Sequence, residues 1–172
     1  MVHEDMENKP NRIIWHHTGA GGATPQFTRT DRYHKSRGFP RSALGFYGGY
    51  HVLIEKDGAA RRYRDDEEVG AHDAGENVNS IGIALAGNFN VELPTEPQTA
   101  AFRELLLQTM NRWKIPADRI DPHRFGDTTD CPGTNLADTW ARDLVAAAPA
   151  AACDEVLQEI VDFVQSKRHA PR

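Results

Sequence analysis

The chain has 172 residues, enough for one domain with a hydrophobic core of its own. Apolar residues make up 39% and charged residues 26%, which excludes an intrinsically disordered protein. A formal net charge of −5 argues against a nucleic-acid-binding protein, which shows a basic face, and against simple electrostatic attachment to an anionic wall.

In chain order, residues 1–11 are polar and acidic and read as a flexible lead. They lack the basic start and apolar stretch of a secretory signal. No run approaches the length of a membrane span, so a chain made in the cytoplasm, without membrane insertion, is expected. Arg12 to Trp15 is short and β-branched and reads as a buried strand that delivers His16 to its C-terminal end. Gly19, Gly21 and Gly22 follow without the Gly-Lys-Ser/Thr pattern, so they predict a plain loop at a cleft edge rather than a phosphate cradle. Thr28 to Ser36 predicts a helix ending at Gly38.

Tyr50 to Glu55 alternates as a strand, which puts Tyr50 and His51 on opposite faces. Lys56-Asp57-Gly58 is a turn, and Ala59 to Tyr63 returns as a hairpin partner. The acidic run Asp65 to Glu68 reads as a solvated turn. Ser80 to Ala86 is nearly all small or apolar and predicts a central strand covered on both faces. Thr95 to Gln98 is a capping-box pattern opening a helix with Phe102, Leu105, Leu106, Met110 and Trp113 on one stripe. Ile120 begins a short extended piece that leads into His123, and Leu136, Trp140 and Leu144 recur at helical spacing. Ala146 to Ala152 reads as a linker broken by Pro149, followed by an amphipathic helix carrying Val156, Leu157, Ile160, Val161, Phe163 and Val164. The expected architecture is α/β: a central mixed β-sheet flanked by helices over residues 12–146, then a linker and C-terminal helix over 147–172.

The chemistry concentrates in Pro122 to Gly133, which holds His123 and Cys131. A soft sulfur donor and an imidazole on one irregular polar loop suit a zinc ion. One imidazole of the His16-His17 pair would complete three protein ligands, because strand alternation lets only one of the two face a metal. Three ligands leave a fourth position for water, the catalytic pattern, and zinc brings the pKa of bound water towards neutrality. A structural zinc would instead need a fourth protein ligand, for which His17 or His72 would serve. With Cys131 on the metal, Cys153 is left as a free thiol, and no disulfide framework is expected.

Four stretches in order resemble the zinc-dependent N-acetylmuramoyl-L-alanine amidases of the type-2 amidase and peptidoglycan-recognition-protein superfamily, phage endolysins among them. These are Ile14 to Thr18, Gly49 to Ile54 with Asp57-Gly58, Val69 to His72 with Asn79 to Ile83, and His123 through Cys131-Pro132-Gly133. The resemblance implies zinc ligands at His16, His123 and Cys131, a catalytic tyrosine at Tyr50, and Thr129 as a donor to the developing oxyanion. Arg124 would orient the loop from outside the ligand set. His72 reads either as a satisfied surface or core histidine or as a cleft residue that touches substrate. Some relatives carry a catalytic Glu where this chain has Ala84, so proton chemistry falls to other groups. The implied substrate is peptidoglycan or a muropeptide, cut between N-acetylmuramic acid and L-alanine, by a phage-type endolysin reaching the wall through a holin-type route. The alternatives are a non-catalytic peptidoglycan-recognition protein and a cytosolic muropeptide-recycling amidase.

Overall fold

The structure, a computed structural model, describes residues 7–22 and 25–147. Five strands form one mixed sheet in the order β3-β2-β4-β1-β5. They are β1 (Arg12–His17), β2 (Val52–Ile54), β3 (Ala60–Arg62), β4 (Ser80–Leu85) and β5 (Ile120–Pro122). The central pair β1 and β4 is parallel, β5 joins β1 and β2 joins β4 in parallel, and β3 closes the edge as an antiparallel hairpin. Three helices complete the described residues: α1 (Phe27–Ser36), α2 (Glu96–Trp113) and α3 (Trp140–Ala146).

Both faces of the sheet are covered, so that every residue of β4 is buried. On one face Ile13 and Trp15 of β1 pack with Ile81, Ile83 and Leu85 of β4 beneath Phe102 and Leu106 of α2. Trp15 packs against Trp140, at 5.2 Å between ring centres, and Phe102, at 6.2 Å, which themselves stack at 5.5 Å. On the other face Leu53 and Ala84 pack against Phe27 of α1 and Tyr63. The two-residue period of β1 therefore sends Trp15 and His17 to the α2 side and His16 to the α1 side.

The helix ends are set by two different devices. Thr95 and Gln98 form the reciprocal capping box that the sequence announces at the start of α2. Helix α1 has no side-chain cap at Gln26. The buried Glu55 carboxylate, just past β2, accepts the N–H groups of Gln26 at 2.8 Å and Phe27 at 2.7 Å instead. A carboxylate at that end of the helix also complements its dipole. This couples α1 to the sheet, and buried Arg64 couples the next loop to it by donating to the carbonyls of Gly48 at 2.9 Å and Pro40 at 2.6 Å.

Some local expectations differ. Residues 7–11 are not a free lead: Asn8 is buried and donates to the carbonyls of Asp66 and Ser80 at 2.8 and 2.9 Å. Asp65 to Glu68 is not wholly solvated, because Asp66 turns inward to Arg62 and the indole N–H of Trp113. Strand β2 begins at Val52 rather than Tyr50. The His51 ring inserts there, its Nδ1 accepting the Gly82 N–H at 3.0 Å in place of a backbone carbonyl. Leu136 precedes α3 in a turn, its carbonyl bonded by Arg124. The C-terminal linker and helix, and Cys153, lie outside the described residues.

Phe102→Ala is expected to cost about 3–5 kcal/mol in denaturant unfolding, because the cavity would open beneath two indoles that cannot collapse into it. A loss below 1 kcal/mol would show that α2 is not seated as described.

Candidate metal centre

The sheet register builds this site. Trp15 of β1 is paired with Pro122 of β5, so the next residue of each strand, His16 and His123, leaves the sheet beside the other. Their rings lie 4.5 Å apart. The loop after the short turn His123–Phe125 then doubles back and brings Cys131 Sγ to 3.7 Å from His16 Nδ1. One donor atom from each of His16, His123 and Cys131 lies within 4.8 Å of the others. A tetrahedral zinc ion with bonds of about 2.3 Å to sulfur and about 2.0–2.1 Å to nitrogen holds such a pair about 3.6 Å apart. The donor set and spacing therefore fit that ion.

The loop is held by Arg124. Its guanidinium donates to the carbonyls of Gly133 at 2.8 Å and Leu136 at 2.6 Å and to the Asp138 carboxylate at 2.6 Å. Its backbone N–H donates to the Cys131 carbonyl at 2.9 Å. Gly133 has φ +113°, and a Cβ there would stand 2.4 Å from the Phe89 backbone, so the close return of the loop demands glycine.

Burial sets the protonation of the cluster. It pushes the Cys131 thiol up to about 12, against the His17 N–H and the Arg124 charge, which pull it down. It also lowers His16 well below the ordinary imidazole value, helped by His72 and His123. His123 is lowered by burial too, with Asp73 and Asp127 opposing. Neutral imidazole is the form that binds metal, whereas the thiol must give up its proton.

His17 faces the other way: its Nδ1 accepts the Phe89 N–H at 3.1 Å, which removes it from the donor set. His72 is not exposed in the cleft. It is buried behind His16, with its Nδ1 3.2 Å from His16 Nε2, the position of a satisfied core histidine. Tyr50 packs against His16 at 5.0 Å and His34 at 5.3 Å between ring centres. Burial raises its phenol above the ordinary range. Tyr50 borders a groove of about 270 Å³ that Thr18, Arg29, Tyr33 and His34 also line. Thr129 is half-buried, and its hydroxyl accepts the Cys131 N–H at 3.2 Å. That leaves the hydroxyl proton free to be donated elsewhere. Ala84 is fully buried directly across from His16, with no carboxylate at that position.

Residues 6–134 match the family model of N-acetylmuramoyl-L-alanine amidase. The chain belongs to this family. Peptidoglycan-recognition protein SC2 of Drosophila melanogaster is 31% identical over 141 residues, covering 79% of this chain and 77% of that protein. Among solved structures, the endolysin N-acetylmuramoyl-L-alanine amidase LysCS from Clostridium intestinale URNW is 35% identical with a TM-score of 0.69, over 81% of this chain and 85% of that one. Peptidoglycan recognition protein LE, solved in complex with tracheal cytotoxin, is 26% identical with a TM-score of 0.65, over 78% and 82% of the two chains. The amidase-family fold is thus shared with proteins named as enzymes and with proteins named for recognition.

In this amidase-family chain the sequence does not mark Asp73, which is buried with a carboxylate oxygen 4.0 Å from His123 Nε2. A carboxylate near a ligand histidine is a common supporting element. With 25 acidic residues in the chain, nothing local marks this one. His51 is a structural histidine, as its place next to Tyr50 in the sequence predicts: its Nε2 donates to the Glu68 carbonyl at 2.9 Å while its Nδ1 accepts from Gly82.

Burial holds the His51 imidazole at about 4, below its ordinary 6.5. The unfolded chain binds this proton near pH 6.5 and the folded chain only near pH 4. The stability of the neutral ring is therefore complete above pH 6.5 and drains away as pH falls towards 4, by on the order of 3 kcal/mol. Urea midpoints should drop between pH 7 and pH 4.5, and less steeply in His51→Gln. An identical slope in that variant would remove His51 from the account.

Proposed function

We propose that the chain hydrolyses the amide bond between N-acetylmuramic acid and L-alanine in peptidoglycan, using a zinc ion held by His16, His123 and Cys131. One observation carries this reading: two imidazoles and a thiol from distant segments converge, with sulfur and nitrogen 3.7 Å apart, near a groove bordered by Tyr50. Three protein donors leave room for water, as a hydrolytic site requires. When bound, zinc supplies electrophilic polarisation of the scissile carbonyl and a water acidified towards neutrality.

The chain's own groups divide the remaining work. Tyr50 keeps its proton throughout the working pH range, so it acts as an O–H donor and not as a base. The Thr129 hydroxyl, anchored through the Cys131 N–H, directs its proton towards charge developing on the carbonyl oxygen. Being neutral, it stabilises that charge less than an ammonium would. The buried methyl of Ala84 supplies no general base. The groove beside Tyr50 receives the peptide stem, and the likeness to a protein solved with a monomeric diaminopimelic acid-type peptidoglycan supports that substrate class. Likeness to an endolysin at 35% identity favours a wall-lysing role over muropeptide recycling.

Zinc-replete protein should release new L-alanine amino termini from purified peptidoglycan. Metal analysis should find one zinc per chain. Cys131→Ser should lose zinc and at least about 100-fold of the activity, since disturbing even outer partners of a metal site costs about 10–100-fold. Thr129→Val should lower kcat by about 100-fold with KM little changed, the usual effect of removing one oxyanion donor. Wall binding without any amino-terminus release would replace the enzyme reading with a recognition role.

A further inference from the structure

His72 is buried yet makes polar contacts at both ring nitrogens. Its Nδ1 faces His16 Nε2 at 3.2 Å, and its Nε2 faces the Ser80 hydroxyl at 3.4 Å. The hydroxyl of Ser80 has one proton, and it is given to the Glu76 carbonyl at 2.6 Å, an oxygen that can only accept. Towards His72, therefore, Ser80 Oγ is an acceptor, and the proton of that contact sits on His72 Nε2. A hydrogen bond between the facing nitrogens of His72 and His16 needs one proton and one lone pair, and an imidazole that carries its proton on Nε2 offers the lone pair at Nδ1. That lone pair accepts the proton of His16 Nε2. His16, also neutral, is left with its own lone pair on Nδ1, the nitrogen that lies 3.7 Å from Cys131 Sγ.

We infer that His72 is a positioning residue that fixes His16 in the Nε2–H tautomer and so presents the Nδ1 lone pair to the metal. The proton sequence runs one way along Glu76 carbonyl, Ser80 hydroxyl, His72 and His16, and each donor in it has a single acceptor.

The backbone is shaped for this ring. A Cβ on Gly82 would stand 2.4 Å from the His72 ring, and one on Gly70 would stand 2.5 Å from it. Both glycines clear the space into which the imidazole drops on to the sheet. Asn77 sets the backbone at the same point, its side-chain oxygen accepting the N–H groups of His72 at 2.8 Å and Asp73 at 3.0 Å. A packing role alone would demand neither an acceptor facing His16 nor a hydroxyl committed elsewhere. The stretch Val69 to His72 and the stretch Asn79 to Ile83, neither of which contributes a ligand, meet here through His72, Ser80 and Gly82.

The inference deepens the zinc reading above, and its test has one arm that does not depend on zinc. In the full chain stripped of metal, two-bond ¹⁵N–¹H spectra of labelled histidines should show the proton on Nε2 for both His16 and His72. A proton on Nδ1 of either ring overturns the inference. In the second arm, chelator competition should show zinc binding weakened by about 10–100-fold in His72→Phe, which keeps the ring shape without the acceptor. His72→Asn should hold zinc close to wild type, because its side-chain oxygen stands where Nδ1 stood, and its His16 should remain Nε2–H. Equal affinity in wild type and the Phe variant, or an Asn variant no better than Phe, overturns the inference even if the wild type proves to be a zinc amidase. A wild type that takes up no zinc but shows both expected tautomers would sink the proposed function and the metal-presenting role of His72, and leave only its hold on the His16 tautomer.

Discussion

The parallel pairing of β1 with β5 and β4 is the constraint on which the rest of the molecule depends. It puts the C-terminal ends of three strands at one edge of the sheet, where ligand sites of α/β folds generally form. Because β1 is buried on both sides, its alternation must satisfy two different environments at once. Trp15 fills the apolar layer under α2, while His16, one residue later, enters a polar pocket on the α1 side. A slip of one residue in this register would exchange those faces, bringing an indole to the metal cluster and an imidazole into the hydrophobic layer.

The cluster is electrostatically quiet. Burial drives His16, His72 and His123 towards their neutral forms and the Cys131 thiol towards its protonated one, so no charge is stranded in the protein alone. The same burial keeps the Tyr50 phenol protonated. The three candidate ligands, His72 and Tyr50 are thus hydrogen-bond donors or lone pairs held in place rather than standing charges. Orientation matters more than charge in such a site, and orientation is what Arg124, Glu55 and Arg64 provide. Arg124 clasps the cysteine loop, Glu55 anchors α1 beside the groove, and Arg64 ties the loop that ends at Tyr50.

Much of this was legible in the chain itself. Strong local rules announced the capping box at Thr95, the apolar strand at Ser80, the hairpin at Gly58 and the pairing of His123 with Cys131 in one loop. The misreadings have a common physical origin. Alternation, a local signal, extends the strand to Tyr50, whereas the His51 ring that interrupts the ladder acts through Gly82 from another strand. Asp66 belonged to an acidic run, and its inward turn depends on Arg62 and on Trp113 at the far end of α2. Leu136 kept helical spacing with Trp140, but the Arg124 guanidinium captures its carbonyl before the helix starts.

By itself, then, the sequence determined which chemistry was available: two imidazoles, a thiol and a hydroxyl in the order shared by a family of amidases. It also determined the strands and helices whose periodicity is intrinsic to the backbone. Tertiary structure alone decided the use of each group. It turned His17 away to Phe89, withdrew His72 from the cleft to stand behind His16, and set Asp73 near His123. Side-chain identity is a local property. Burial, the direction of a lone pair and the nearest proton donor depend on residues tens of positions away, and only the folded chain brings those together.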